Sequence, residues 1–246
     1  MYDFFKRLVD VVVAIALLAV LLPVFLIIML LLKLTGEGQM FYLQQRIGYK
    51  NRPFFIYKFA TMKRNSDNTL TGDVTIKDDP RLLPLGKFLR KTKINELPQI
   101  FNILKGEMTL IGPRPLMLKG FNRYTKEVQE IIYNVKPGLT GIGSVIFRDE
   151  ETMVSHFTDL EQLYLNINKQ KGKLEIWYQQ NRGFTTDFLI VCLTAISIVK
   201  PTQTLTYRIF KNLPPSDMEG RFNLNVRHLR NKEAANEKVS FQNSLS

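Results

Sequence analysis

Asn95 and Glu96 stand side by side where an amphipathic helix is predicted to begin. Its apolar residues recur at helical spacing from Leu97 to Leu104, and the pattern ends before Gly106. Asn95 is the residue type of an N-cap. A helix N-terminus offers free backbone N–H groups and the positive end of the helix dipole, so phosphate is stabilised there. This point is therefore a candidate phosphate-binding site, and an ordinary helix cap is the alternative.

Basic side chains surround this point in the sequence and suit an anionic ligand. The sharpest case is Arg114 in Gly112-Pro113-Arg114-Pro115, where two prolines limit the backbone entropy lost when the guanidinium is held against a ligand. Arginine also meets phosphate oxygens with two parallel hydrogen bonds. A solvated basic face, or a rigid turn with Arg114 in a salt bridge, is the alternative, and Asp79-Pro80-Arg81 leaves the same choice open. The candidate phosphate-binding residues are Lys58, Arg81, Arg90, Arg114 and Arg148.

The overall composition narrows the class of protein. The 246 residues carry 34 Lys and Arg against 22 Asp and Glu, a net charge of +12. This excess, most of it in residues 41–120, favours nucleic acid, lipid head groups or phosphorylated small molecules as partners. A hydrophobic content of 45% and a charged content of 23% exclude wholesale disorder. The single cysteine, Cys192, excludes an intrachain disulfide and a cysteine-cluster metal site.

The segment Val11–Leu32 has the composition of a membrane helix. Its 22 residues include no polar side chain, and a straight helix of that length would be about 33 Å long, enough for a hydrocarbon core of about 30 Å. Asp3 and Asp10 in the leading residues argue against a cleaved signal peptide. Basic residues flank both ends and favour the cytoplasmic side. We therefore expect residues 1–36 to form a re-entrant hairpin that bends at Pro23, rather than a kinked span.

The remaining pattern predicts an α/β (α+β) fold whose globular domain is small and mostly helical. Residues 37–211 make up this domain, and the polar residues 212–246 are predicted to be a flexible tail. Aromatic-rich segments predict strands at 40–45 and 53–62, followed by a polar loop at 65–79. Further helices are predicted at 82–91, 121–134, 159–171 and 188–199, the last of them buried or interfacial.

Taken in order, these segments resemble the bacterial sugar transferase family, the monotopic polyprenyl-phosphate phosphoglycosyl transferases. The resemblance extends over about residues 1–200, and its central block is highly specific. The matching residues are Lys6-Arg7, Asp10, Pro23, Tyr57-Lys58-Phe59, Thr61-Met62, Asp79-Pro80-Arg81, Glu96-Leu97-Pro98-Gln99, Asn102, Leu104-Lys105-Gly106, Ile111-Gly112-Pro113-Arg114-Pro115-Leu116, Lys136-Pro137-Gly138 and Thr140-Gly141.

The resemblance implies a catalytic domain on the cytoplasmic face of the bacterial inner (cytoplasmic) membrane, anchored monotopically by a re-entrant helix hairpin. Enzymes of this family move a phosphosugar from a UDP-sugar to polyprenyl (undecaprenyl) phosphate with Mg²⁺, and they release UMP. The step initiates the synthesis of exopolysaccharide, capsule, O-antigen or glycoprotein glycans. Partner glycosyltransferases are therefore expected as well.

One departure from the family pattern falls on the expected nucleophile. The family's catalytic aspartate, which forms a covalent phosphosugar intermediate, is replaced by Asn95. Asparagine attacks phosphorus poorly and binds Mg²⁺ weakly. The resemblance then leaves Glu96 to carry catalysis and to bind Mg²⁺, although adjacent helix positions point in different directions. Further departures are Ala60, Ile142, Ser144 and Ile146-Phe147, whereas Arg148 still matches.

Three functions stay open on this basis. The favoured one is an active transferase in which Glu96 attacks covalently or supports direct transfer. A catalytically silent homologue, acting as a membrane scaffold or as a binder of lipid phosphate, is the alternative that Asn95 suggests. Nucleic-acid binding rests on net charge alone, and because no stacking or helix-turn-helix signature accompanies it, we expect no nucleic-acid partner.

Overall fold

The longest element of the fold is an apolar N-terminal helix, α1, which spans Tyr2–Thr35 and continues through Pro23. By length and composition it is able to cross a membrane. The computed structural model describes residues 1–35, 37–63, 79–148 and 160–215. Within them, Met1–Leu213 forms one compact unit, which contains every element named below. Pro23 lies inside a single continuous helix, so the structure does not show two separate arms. The re-entrant hairpin therefore stays a prediction.

Two small sheets organise the part of the unit that follows α1. Strands β1 (Phe41–Ile47) and β2 (Pro53–Phe59) pair antiparallel, whereas β3 (Thr109–Ile111) and β4 (Gly138–Thr140) pair in parallel. A 3-10 helix spans Ile94–Gln99. The other helices are α2 (Pro84–Lys91), α3 (Ile100–Lys105), α4 (Leu118–Phe121), α5 (Lys126–Ile132), α6 (Ile142–Ile146), α7 (Leu160–Asn181), α8 (Phe184–Val199) and α9 (Gln203–Ile209).

These elements confirm a mixed, mostly helical fold, and both predicted strands are present with shifted ends. The predicted helix at 121–134 is confirmed in part, since α5 occupies the centre of this range but begins only at Lys126. Thr125 explains the difference, because its side chain accepts a hydrogen bond from the Val128 N–H and starts α5 as an N-cap. The predicted loop up to residue 78 and the predicted tail from residue 216 lie outside the described residues.

The predicted helix at 159–171 is confirmed but too short, because α7 continues past Gly172 to Asn181. A Cβ on Gly172 would lie 3.2 Å from side-chain carbons of Val128 in α5. The missing side chain at Gly172 therefore allows two helices to approach closely.

One face of α1 belongs to the core of the unit. Its buried side chains contact two groups of core residues: Ala14 packs with Ile56, Ile100, Ile103 and Met108, while Phe25, Ile28 and Leu32 pack with Phe59 and Leu89. Other apolar side chains of α1, such as Ile15, Val20 and Leu26, are exposed. Buried contacts thus occur on both sides of Pro23, so both halves of the helix lie against the same body.

Polar contacts fix the first turns of α1. The buried Asp10 carboxylate accepts hydrogen bonds from the Thr109 hydroxyl and from the Leu110 N–H at 3.1 Å, which ties the helix to β3. Arg7 donates to the carbonyl oxygens of Ile103 at 2.6 Å and Leu104 at 3.0 Å. These carbonyls lie at the C-terminal end of α3, where a helix leaves acceptors unpaired.

We predict that Asp10→Asn destabilises the protein by about 2 kcal/mol, because an amide weakens both charge-assisted hydrogen bonds. In a thermal melt of the detergent-solubilised full chain, the midpoint should fall by roughly 4–8 °C. Asp3→Asn is the matched control, since that side chain is 71% exposed in its pair with Arg182 and should shift the midpoint by less than about 3 °C. Equal shifts would contradict the role given to Asp10.

Candidate active site

Glu96 is the centre of a partly buried charged cluster. Arg114 donates to both of its carboxylate oxygens, with 2.6 Å from Nη2 to Oε1 and 3.1 Å from Nη1 to Oε2. Lys58 Nζ lies 3.7 Å from Oε1. Burial alone would raise the pKa of the Glu96 carboxyl, but the two cations hold that pKa well below its ordinary value. The structure therefore joins three predicted site residues around an ionised carboxylate.

The turn that presents Glu96 differs from the predicted one. Because the helix over Ile94–Gln99 is a 3-10 helix and α3 begins only at Ile100, the prediction that Asn95 caps an α-helix is wrong. Pro98 accounts for the difference, since proline lacks an N–H and disfavours the α conformation of the residue before it. Asn95 is buried, and its Oδ1 meets no hydrogen-bond donor within the described ranges. Side chains, not a helix N-terminus, thus supply the charge at this site.

The loop after β3 holds Arg114 in place. The Tyr133 hydroxyl donates to the Arg114 carbonyl oxygen at 2.9 Å and accepts from the Leu116 N–H at 3.0 Å. Arg46 donates to the Pro115 carbonyl oxygen at 3.2 Å. With prolines on both sides of it, the arginine has a backbone that is fixed before any ligand arrives.

One face of the β1–β2 hairpin supplies further positive charge. The Gln44 Oε1 atom accepts from Arg46 Nη2 at 2.5 Å and from Lys58 Nζ at 3.2 Å. Burial, together with the positive charges of Arg46, Arg114 and Arg90, lowers the pKa of Lys58 to about 7, against the opposing effect of Glu96. Burial and Arg114 also lower the pKa of Arg46 to about 10. Because these cations repel one another, a bound anion would stabilise the cluster.

Two other predicted phosphate-binding residues have protein partners. The buried Arg81 guanidinium faces Asp79, with N–O distances of 2.9, 3.1 and 2.7 Å, which matches the salt-bridge alternative. Arg148 donates to Ser197 Oγ at 2.8 Å. The three acidic residues that follow Arg148 in the sequence, at 149–151, lie outside the described residues.

A cavity of about 410 Å³ begins at the charged cluster and extends between α6, α7 and α8. Glu96, Arg114 and Arg148 all line it, so the structure brings three predicted residues to one space. Its other walls carry apolar and hydroxyl groups, among them Leu97, Leu139, Thr140, Ser144, Phe147 and Thr194. A cationic end and a less polar remainder suit a phosphorylated organic ligand.

Glu175 lines the same cavity, and sequence reasoning missed it. The side chain is 3% exposed, and its Oε2 has no hydrogen-bond partner in the described part of the chain. Burial raises the pKa of Glu175 to about 8, although Lys171 opposes the shift. Its one sequence signal is an acidic residue within an apolar stretch of helix. Arg46 was also missed, although its i, i+2 spacing from Gln44 on a strand could have placed it on the same face.

Comparisons with known proteins point to one family. The family model described as bacterial sugar transferase matches residues 1–201. An uncharacterized sugar transferase, EpsL, of Bacillus subtilis is 34% identical over 194 residues, which cover 79% of this chain and 87% of that protein. The exopolysaccharide production protein ExoY of Sinorhizobium fredii is 33% identical over 203 residues, covering 77% of this chain and 83% of that protein.

A third relative is much longer than this chain. The UDP-N-acetylgalactosamine-undecaprenyl-phosphate N-acetylgalactosaminephosphotransferase of Aeromonas hydrophila is 34% identical over 201 residues, which cover 80% of this chain but 44% of that protein. The chain therefore spans most of EpsL and ExoY and less than half of the Aeromonas protein.

We predict that Glu175→Gln stabilises the protein at high pH. The folded state holds the Glu175 proton up to a pH of about 8, whereas the unfolded chain releases it near 4.5, so native stability falls as the pH rises through that window. The gain in free energy of unfolding of the variant over the native protein should be smallest below pH 4.5. Above that pH it should grow by at most about 1.4 kcal/mol per pH unit. Thermal melts at pH 5 and pH 8.5 measure it.

The matched control for this measurement is Glu130→Gln, which makes the same chemical change on the exposed face of α5. Its effect should be the same at both pH values. An advantage of Glu175→Gln that does not grow with pH would show that the native carboxyl ionises normally.

Proposed function

Because the chain belongs to the bacterial sugar transferase family, we propose that it transfers a phosphosugar from a UDP-sugar to polyprenyl (undecaprenyl) phosphate, as the initiating step of bacterial exopolysaccharide or related glycan synthesis. The observation that carries the proposal is the Glu96 carboxylate held between Lys58 and Arg114 on the wall of the cavity. The names of the Aeromonas relative and of ExoY point to the same donor, acceptor and pathway.

In the proposed reaction, an oxygen of the polyprenyl phosphate attacks the phosphorus that carries the sugar. A new P–O bond forms, the bond to the UMP oxygen breaks, and UMP leaves with that electron pair. Phosphoryl transfer depends mainly on positioning and on stabilising negative charge. Arg114 and Lys58 supply that stabilisation, while Glu96 fixes where their cationic groups lie.

The contacts of Glu96 favour direct transfer over a covalent intermediate. Both of its oxygens accept hydrogen bonds from Arg114, and its pKa is depressed. A carboxylate stabilised in this way is a weak nucleophile. The neighbouring Asn95 amide offers no anionic oxygen that could attack in its place. Direct attack by the lipid phosphate requires neither side chain to act as the nucleophile.

The donor set fits Mg²⁺ only when the substrate contributes ligands. Among the residues described by the structure, no three His, Cys, Asp or Glu side chains form a metal cluster. Glu96 and the unpartnered Asn95 Oδ1 are oxygen donors at adjacent positions, and Mg²⁺ commonly binds through one or two protein oxygens together with substrate phosphates. Bound there, the ion would neutralise diphosphate charge.

Helix α1 is proposed to hold the domain on the cytoplasmic face of the inner membrane. Buried contacts on both sides of Pro23 support an arrangement in which both ends of α1 stay on one side, as the basic flanks favour. A monotopic anchor of this kind would bring the cavity to the lipid surface where the acceptor resides. Glycosyltransferases that extend the product are the expected partners.

A second candidate function rests on Asn95. A catalytically silent homologue would keep Lys58 and Arg114 to bind lipid phosphate or to act as a scaffold while lacking the family's aspartate. Release of UMP above background by the purified protein would dismiss this candidate.

We predict that Glu96→Gln lowers UMP release from a UDP-sugar, polyprenyl phosphate and Mg²⁺ by at least about 100-fold, because Arg114 and Lys58 lose the charge that positions them. Glu127→Gln on the exposed side of α5 is the matched control and should retain native turnover. Native turnover in Glu96→Gln would remove Glu96 from the mechanism.

A further inference from the structure

Two buried polar atoms of the cavity have no use in the proposed transfer. Ser144 Oγ and Glu175 Oε2 both belong to residues that line the cavity, and neither has a hydrogen-bond partner among the residues described. Buried polar groups are almost always paired in folded proteins. Two such atoms on one cavity are therefore available to pair with a ligand.

The neighbouring polar groups on the same wall already have partners. Thr140 Oγ1 and Thr194 Oγ1 share a hydrogen bond of 3.0 Å, and Ser197 accepts from Arg148 at 2.8 Å. These four side chains therefore have hydrogen-bond partners, unlike Ser144 Oγ and Glu175 Oε2 on the same wall.

The backbone makes room for the Glu175 carboxyl. A Cβ on Gly143 would lie 2.5 Å from Glu175 Oε1, so the absence of a side chain at this position of α6 allows the carboxyl to face the cavity. The space beside Ser144 and Glu175 is thus a formed part of the fold.

We propose that Ser144 and Glu175 bind the hydroxyl groups of the transferred sugar, an inference that rests on the proposed function. Arg114 would hold the phosphate to which the sugar is directly bonded. Arg114, Ser144 and Glu175 all line the same cavity. A sugar ring attached to that phosphate therefore lies in the cavity that Ser144 and Glu175 line.

The chemistry of the two groups matches a neutral polyol. A hydroxyl such as that of Ser144 both donates and accepts, and a carboxyl that keeps its proton does the same. Burial favours the protonated form of Glu175, with a pKa of about 8. Recognition by paired hydrogen bonds discriminates strongly between ligands, since a missing partner leaves a buried group unpaired.

The test measures equilibrium binding of UMP, UDP-glucose, UDP-galactose and UDP-N-acetylgalactosamine to the full chain by calorimetry, without polyprenyl phosphate so that no turnover occurs. Glu175→Met removes the hydrogen bonds at similar volume, and Ser144→Ala does the same at its position. Each should weaken binding of the preferred UDP-sugar about tenfold and change UMP affinity less than about twofold.

Glu175→Gln should bind the UDP-sugars within about threefold of the native protein, because an uncharged amide also donates and accepts. Glu130→Gln is the matched surface control. The inference is overturned if Glu175→Met binds like the native protein, if Glu175→Gln is as weak as Glu175→Met, or if UMP affinity falls as much as that of the UDP-sugars. A native protein that binds no UDP-sugar overturns the proposed function, and this inference with it.

Discussion

Burying the Glu96 carboxylate carries a large desolvation cost, which Arg114 and Lys58 offset. The pairing requires three separate pieces of chain to meet: strand β2, the 3-10 helix and the loop after β3. Since Arg46 stands beside them, the cations outnumber the single carboxylate. The fold is therefore organised around an excess of positive charge that an anionic ligand complements.

The same packing that supports this cluster includes the membrane helix. Ala14 of α1 contacts Ile100 and Ile103 of α3, the helix that directly follows the residues presenting Glu96. Asp10 and Arg7 add polar contacts to β3 and to the end of α3. One face of helix α1 is thus part of the core of the domain, while its other apolar side chains remain exposed. A site built on such a helix suits an acceptor whose phosphate lies at the membrane boundary.

Local signals allowed much of this site to be predicted. The type of Arg114 and its two flanking prolines indicated a fixed guanidinium, and the structure pairs it with Glu96, which is the salt bridge named as the alternative to a ligand contact. The prediction that an α-helix begins at Asn95 was wrong, because Pro98 disfavours the α conformation in the residue that precedes it. Strand spacing could have placed Arg46 on the same face as Gln44, whereas Glu175 could not be found in this way, because its place on the cavity depends on contacts between segments far apart in the chain.

The most direct test of the account follows the lipid product by mass spectrometry. The full chain is incubated with UDP-sugars and Mg²⁺, and undecaprenyl phosphate is added second. Direct transfer predicts no phosphosugar adduct on the protein before the addition, and afterwards a lipid heavier by one intact phosphosugar. The account would be contradicted if none of the UDP-sugars gives this lipid product. It would also be contradicted if the lipid gains the mass of the sugar alone.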